Sequence, residues 1–336
     1  ALLGQYLAEC EVLGEHSPGV PITTNFITMS QFHQLDWHDW MRRLRAESGP
    51  SPLIVSADHY LVDSLEDPQA EQAFVGDLTR GIAGGPWVLM EHSTSAVNWQ
   101  PVNVAKGPGQ MLRDSLTHVA RGADAVGFFQ WRASRAGAEK FHSALVPHAG
   151  TTSRRFDEVC ALGEVVARLS EVAGSQVTAD VAILWDYQSY WATLGPAMPS
   201  ELVDYADLAR DIHRALRESH IATDVVSPTA DLSSYKVLFV PTLYMVTDEQ
   251  IAAITAAVES GTHLVVTYFS GIADQSDRIR LGGYPGAFRE LLGVRSQEFA
   301  PLRSGERVAL SGGGYGTIWS EDLDLAEKQV RDLLRE

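Results

Sequence analysis

Four short apolar runs, each closing on polar or aromatic residues and each followed by an amphipathic stretch, set the tightest limit on how residues 1–150 can fold. The runs are PITTNF (21–26), PLIVSADHY (52–60), PWVLMEHS (86–93) and AVGFFQW (125–131). Between them lie DWHDWMRRLRAE (36–47), DPQAEQAFVGDLTRGIA (67–83) and GPGQMLRDSLTHVARGA (107–123), with turn residues at one or both ends, as covering helices require. Strand-like runs alternating with helix-like ones predict a parallel sheet. The polar residues gather at the C-terminal ends of the runs: Asn25, then Asp58 and Tyr60, then Glu91, then Trp131 and Arg132. Parallel α/β folds assemble their sites at that edge. The chain opens inside another helical pattern, apolar at 2, 3, 6, 7, 10 and 13, which predicts further sequence upstream of Ala1.

A helix over 152–174 is expected to carry the chain away from this region, after which the rhythm restarts. DVAILWD (180–186), ATDVV (222–226), VLFVPTLY (237–244) and HLVVTY (263–268) read as strands, with helices near 201–218 and 247–259. Gly261 suits a C-cap of the last helix, and Asp248 and Glu249 suit the dipole at its start. The organisation predicted is a first domain at 1–150, a connecting helix at 151–177, a flavodoxin-like open sheet at 178–302 and an incomplete segment at 303–336. A class I glutamine amidotransferase has a similar second sheet but needs a nucleophilic cysteine, and residues 161–336 contain none. DYQSYWATLG, after the first strand of this sheet, is not a phosphate loop, so flavin binding is not expected either.

Charge narrows the partners. Twenty-six Lys and Arg against 43 Asp and Glu leave a formal net charge of −17, which repels nucleic-acid backbones and anionic lipid surfaces. No apolar run approaches the roughly 18 residues of a spanning helix, and the N-terminus lacks the order of a signal peptide. Cys10 and Cys160, the two cysteines, give neither a disulfide framework nor a zinc motif. A cytoplasmic protein without metal or cofactor is expected.

Glu91 closes an apolar strand, and Asn98 and Trp99 follow within a short loop. A carboxylate beside indole faces suits glycoside cleavage, because an oxocarbenium-like state needs a negative group to stabilise or trap it and sugar C–H faces stack on aromatic rings. Glu139 and His142 stand at i and i+3, a spacing that would turn both to one side as a grip on sugar hydroxyls, or would leave them as an ordinary surface pair. The Glu-x-x-His pattern also occurs in di-iron bundles, but it has no second copy here and the setting is α/β. Tyr60 would orient the carboxylate or pack as a core phenol, and Asn25 would touch substrate or cap the next segment.

VLMEHSTSAVNWQP, QWRASRAGAEKFHSALVPHAG and TTNF together resemble the signatures of the glycoside hydrolase family 42 β-galactosidases, and the resemblance runs from about residue 1 to 300, with WDYQSYWA (185–192) in the second domain. It implies a retaining β-galactosidase acting on terminal β-galactosides, built on a (β/α)8 TIM barrel with an oligomerisation domain, usually trimeric, behind it. By position Glu91 matches the nucleophile at the end of the seventh strand, and Trp99, Glu139 and His142 match galactose contacts. Tyr60 and Asn25 are carried over as substrate-binding residues. His92 and Lys140 stand where the family pattern has glutamine. The acid/base glutamate of the family belongs to an Asn-Glu pair closing the fourth strand, and no Asn-Glu pair occurs in the chain. If VLMEH is the seventh strand, strands one to four and the N-terminal half of the barrel are missing. The expectation is therefore a fragment, a partial barrel of strands five to eight and a flavodoxin-like domain, inactive alone. A non-catalytic assembly module is the competing reading.

Overall fold

The computed structural model describes residues 2–29, 35–47, 52–61, 67–196, 198–310 and 313–325. It forms two compact units, Ala1–Thr178 and Ala179–Glu336.

In the first unit the chain runs through α1 (Leu2–His16), β1 (Asn25–Phe26), α2 (Trp37–Glu47), β2 (Ser56–Asp58), α3 (Pro68–Ala83), β3 (Trp87–Glu91), α4 (Gln110–Ala120), β4 (Ala123–Val126) and α5 (Arg154–Arg168). The strands form one sheet in the order β1-β2-β3-β4, every neighbouring pair parallel. Strands adjacent in sequence are adjacent in space and joined by helices. This is the arrangement of four consecutive β/α units, half of an eight-stranded barrel.

Local chemistry fixes the helices. Asp67 accepts the Ala70 N–H at 2.9 Å with Pro68 in the first turn of α3, and Gly84 ends the helix in the left-handed region at φ +64°. The helix is buried on almost every side, so its Asp77 is neutralised internally by Arg80 and Arg121. Helix α2 buries Trp37, Trp40, Met41 and Leu44, a stripe at helical spacing, and Trp37 stacks on Phe26 of β1 at 4.3 Å. Each such side chain contributes about 1.5–3 kcal/mol by leaving water.

At the far end of the sheet Gly127 follows β4, and its N–H bonds to the Leu89 carbonyl at 2.6 Å. A Cβ there would stand 2.3 Å from the Met90 carbonyl oxygen, so only glycine lets the two backbones close on each other beside Glu91.

Two boundaries differ from expectation. The fourth strand begins at Ala123 and ends at Val126, whereas the apolar run is 125–131. Pairing with Trp87, Val88 and Leu89 decides its extent, and polar Asp124 is accommodated by accepting the Gly174 N–H at 3.0 Å. The helix expected as a connector at 151–177 is shorter and packs within the first unit. Arg155 of α5 donates to the Lys106 carbonyl at 2.8 Å and to Ser95 Oγ at 3.1 Å.

The second unit contains β5 (Val181–Leu184), α6 (Tyr187–Thr193), α7 (Tyr205–Glu218), β6 (Thr223–Val226), β7 (Val237–Val240), α8 (Asp248–Glu259) and β8 (His263–Val266). Its sheet has the order β6-β5-β7-β8, all parallel, which is the flavodoxin-like winding. Ala182, Leu184, Leu238, Val240 and Ile254 fill the core. Thr247 and Gln250 form a reciprocal capping box at the start of α8, and Gly261 follows its end at φ +107°. The unit does not stop at 302. After α9 (Arg289–Leu292) come β9 (Val294–Arg295), β10 (Ala300–Pro301), β11 (Val308–Ala309), β12 (Tyr315–Gly316), β13 (Trp319–Ser320) and β14 (Asp324–Leu325). β13 pairs with β10 and β14 with β9, and Trp319 buries itself against Tyr268 and Phe269. The charged helix-compatible run at the C-terminus lies largely outside the described residues. Among the described residues no helix is long and apolar enough to cross a membrane.

Candidate active site

Register brings the site together. In the parallel pairing Asp58 of β2 stands opposite Glu91 of β3, just past an irregularity at Ala57/Asp58, while Asn25 of β1 stands opposite Ser56. The three side chains meet at the C-terminal end of the sheet. Asn25 Nδ2 donates to Glu91 Oε1 at 3.1 Å and also lies 3.0 and 3.1 Å from the two oxygens of Asp58. Tyr60 Oη donates to Glu91 Oε2 at 2.7 Å. Both oxygens of Glu91 thus accept a hydrogen bond, which holds the carboxylate in one orientation.

Aromatic rings wall this carboxylate. Trp99 meets Tyr60 edge-on at 4.8 Å, and 51% of the indole residue is exposed, leaving surface for a ligand. His142 is buried against Trp99 at 5.2 Å, Phe129 at 4.9 Å and Tyr60 at 5.9 Å. Its Nδ1 donates to the Ser143 carbonyl at 2.8 Å, and Nε2 has no hydrogen-bond partner among the described residues. Glu139 sits on a 3-10 turn over Ala138–Phe141, exposed, and accepts from Asn98 Nδ2 at 2.9 Å. The i and i+3 pair therefore does not present two matched side chains on one face: Glu139 lies on the surface and His142 points inward. The six residues that the family resemblance assigns to the site (Asn25, Tyr60, Glu91, Trp99, Glu139 and His142) nevertheless lie in one neighbourhood with Asp58 and Asn98, while Trp131 is exposed.

Electrostatics separates the groups. Burial, reinforced by the charge of Glu91 and opposed by the Asn25 hydrogen bond, pushes the Asp58 carboxyl up to about 6. Burial and the Glu91 hydrogen bond push the Tyr60 phenol above its ordinary value, so it remains a donor at neutral pH.

Behind the strand ends lies a polar network that sequence reading did not find. Side chains alternate along a strand, so His59 and His92, next to Asp58 and Glu91, point the other way. His92 Nδ1 bonds to the His59 carbonyl at 3.2 Å and its Nε2 lies 3.2 Å from Lys106 Nζ. Burial and the Lys106 charge hold His92 well below its ordinary value, so the ring is neutral, with Nδ1–H donating and Nε2 accepting. Lys106 is paired with buried Asp114 at 3.2 Å. His59 Nε2 faces Glu71 at 2.8 Å, and its Nδ1 faces His118 Nε2 at 3.2 Å. Together with the His59 N–H to Glu91 carbonyl bond at 3.0 Å, these contacts lock the backbone that carries the two carboxylates. The available signal was a histidine one residue past each strand-end carboxylate.

The β-galactosidase family model matches residues 1–169, and the model of the β-galactosidase trimerisation domain matches residues 179–333. The chain belongs to glycoside hydrolase family 42. A β-galactosidase of an Arthrobacter species is 51% identical over 326 residues, covering 97% of this chain and 46% of that protein. BbgII of Bifidobacterium bifidum is 44% identical, covering 90% of this chain and 43% of its own length. Among solved structures, the β-galactosidase of Bacillus circulans sp. alkalophilus superposes with a TM-score of 0.88 at 32% identity, over 97% of this chain and 48% of that one. The cold-adapted enzyme of Rahnella sp. R3 does so at 0.87 and 34%, over 96% and 49%. The chain thus spans about half the length of the relatives it matches. Of the two positions expected to depart from the family pattern, His92 is buried in the network, while Lys140 lies on the surface with its ammonium 5.1 Å from the Phe141 ring centre.

Proposed function

We propose that this chain supplies the nucleophile half of a retaining β-galactosidase and that Glu91 is the nucleophile. The observation that carries the reading is the double hydrogen bond on Glu91, from Asn25 and from Tyr60, at the C-terminal end of the sheet beside Trp99. A carboxylate held in this way attacks the anomeric carbon as the bond from that carbon to the aglycone oxygen breaks. A second carboxylic acid gives its proton to the departing oxygen. Water then attacks the same carbon, returns a proton to the second group and frees Glu91. A retaining enzyme keeps its two carboxyl groups about 5–5.5 Å apart. Asp58 shares the Asn25 amide with Glu91 and lies on the nucleophile's own side, so the acid comes from the four β/α units that would complete the barrel beyond β1. Trp99 offers a stacking face to galactose, and His142 Nε2 and Glu139 offer acceptors to its hydroxyls. The second unit, matching a trimerisation domain, associates copies of the protein into a trimer. At its sheet the N-terminus of α6 is capped by Asp186, which accepts the Ser189 N–H at 2.6 Å. A cytoplasmic location goes with this reading.

The test is mechanism-based trapping of the complete enzyme with a 2-deoxy-2-fluoro-β-galactoside bearing an activated leaving group, followed by peptide mapping. Label on Glu91 is expected. Label on Asp58 or Glu139, or rapid turnover with inversion at the anomeric centre, removes Glu91 from its role.

A further inference from the structure

We propose that Asp58 is a positioning residue for the reaction assigned to Glu91, acting through Asn25 by fixing which way the Asn25 amide faces. The inference rests on the nucleophile reading above and goes one residue beyond it. Asn25 presents a single nitrogen between two carboxylates, 3.0 and 3.1 Å from Asp58 and 3.1 Å from Glu91. An amide has two N–H groups on one end and an acceptor oxygen on the other, so its orientation is set by what its neighbours can accept or donate. An ionised Asp58 accepts only. It therefore turns the NH2 end into the gap, and the second N–H reaches Glu91. A protonated Asp58 donates, and would as readily hold the amide by its oxygen, which would then face Glu91 oxygen to oxygen and push the carboxylate off its line of attack.

The register makes this arrangement a built one. Asp58 and Glu91 are directly paired across β2 and β3, just past the irregularity at Ala57/Asp58, and Asn25 Nδ2 reaches both carboxylates. Among the described residues the ionisable groups facing Asp58 are Glu91 from β3 and Tyr60 from beyond its own strand; β1 presents Asn25, which is uncharged. With burial on its own side and like charge opposite, Asp58 takes up its proton at about 6. Tyr60 holds the other oxygen of Glu91, so the loss of Asn25 alone leaves the carboxylate held by one hydrogen bond in place of two.

The experiment compares kcat/KM of the complete enzyme with Asp58→Asn, Asn25→Ala and the double variant. Each is measured on a dinitrophenyl β-galactoside, whose aglycone leaves without a proton, and on a simple alkyl β-galactoside. Asp58→Asn is expected to lose about 10–100-fold, the range for an interrupted hydrogen bond to a charged group, on both substrates alike. The double variant should be no slower than Asn25→Ala, because Asp58 works through that side chain. The acid limb of the pH profile should move to lower pH in Asp58→Asn. Loss confined to the alkyl galactoside would make Asp58 a proton donor and overturn the proposal. So would multiplicative losses in the double variant, or an unmoved limb. If Asp58→Asn does not fold, the limb in Asn25→Ala decides: flattening supports the coupling, and an unchanged limb refutes it. The wild-type enzyme labelled at a residue other than Glu91 would instead fail the underlying reading, whatever the variants do.

Discussion

Asp58 concentrates the conflict between stability and chemistry that active sites carry. Its folded-state carboxyl titrates at about 6, above the value of 3.8 it has in an unfolded chain. The native state therefore binds this proton more tightly than the unfolded state between those values, and stability falls as pH rises through that window. Above about 6 neither state holds the proton, and the full cost of a half-buried charge opposite Glu91 is present. Asp58→Asn removes the charge while keeping the shape. Its melting temperature should exceed that of the wild type at pH 7.5, and the difference should shrink as pH falls toward 4.5. Thermal scans across that range check it, and a difference that does not change with pH would mean the carboxylate is not penalised. At this scale the sequence was partly readable. Glu91, Trp99, Tyr60 and Asn25 stand out because polar and aromatic residues end apolar runs. His59, His92 and His118 do not, because a buried histidine and a solvated one look the same in a string; the alternation along β2 and β3 assigns His59 and His92 to the hidden face, and His118 reaches them from helix α4.

The strands and helices were mostly visible because burial leaves its period in the sequence, and the differences come where pairing overrules apolarity. β4 is the example. Its apolar run continues to Trp131, yet the ladder with β3 ends at Val126 and Gly127 seals it against the Met90 carbonyl. Helix α6 went unread because its YQSYWAT is short and aromatic, although Asp186 ahead of it, three residues from Ser189, is an N-cap signal. The tail strands are two residues long, below the length at which alternation carries information. Gly127 supplies the prediction at this level. With a Cβ 2.3 Å from a carbonyl oxygen, Gly127→Ala must push β4 from β3 at the residue before Glu91. A loss of about 1–3 kcal/mol in urea unfolding is expected, the scale of an overpacked site, together with a fall in kcat from displaced geometry. Wild-type stability in the alanine variant would show that the strand ends are free to separate.

For the molecule as a whole, the sheet order decides what the chain can do unaided. Among the described residues β1 and β4 each have a strand neighbour on one side only, and closing a barrel requires a partner for both. In the reading proposed for Glu91, the proton donor reaches the aglycone from the units that complete the barrel. The exposed rings of Trp131 and Phe141, 71% and 74% accessible, lie in the segment after β4 and are candidates for the same closure. The 336-residue chain alone should therefore turn over an alkyl β-galactoside at least about 100-fold more slowly than the protein carrying the other four units, general acid assistance being worth about 10²–10⁴-fold. Supplying those units as a separate polypeptide should restore turnover, and sedimentation should show the two halves together. Full activity of the chain alone would instead assign the proton to a carboxyl within it, Asp58 or Glu139. In that case the pairing of Asp58 with Glu91 across one amide would have to be reread as the catalytic pair itself.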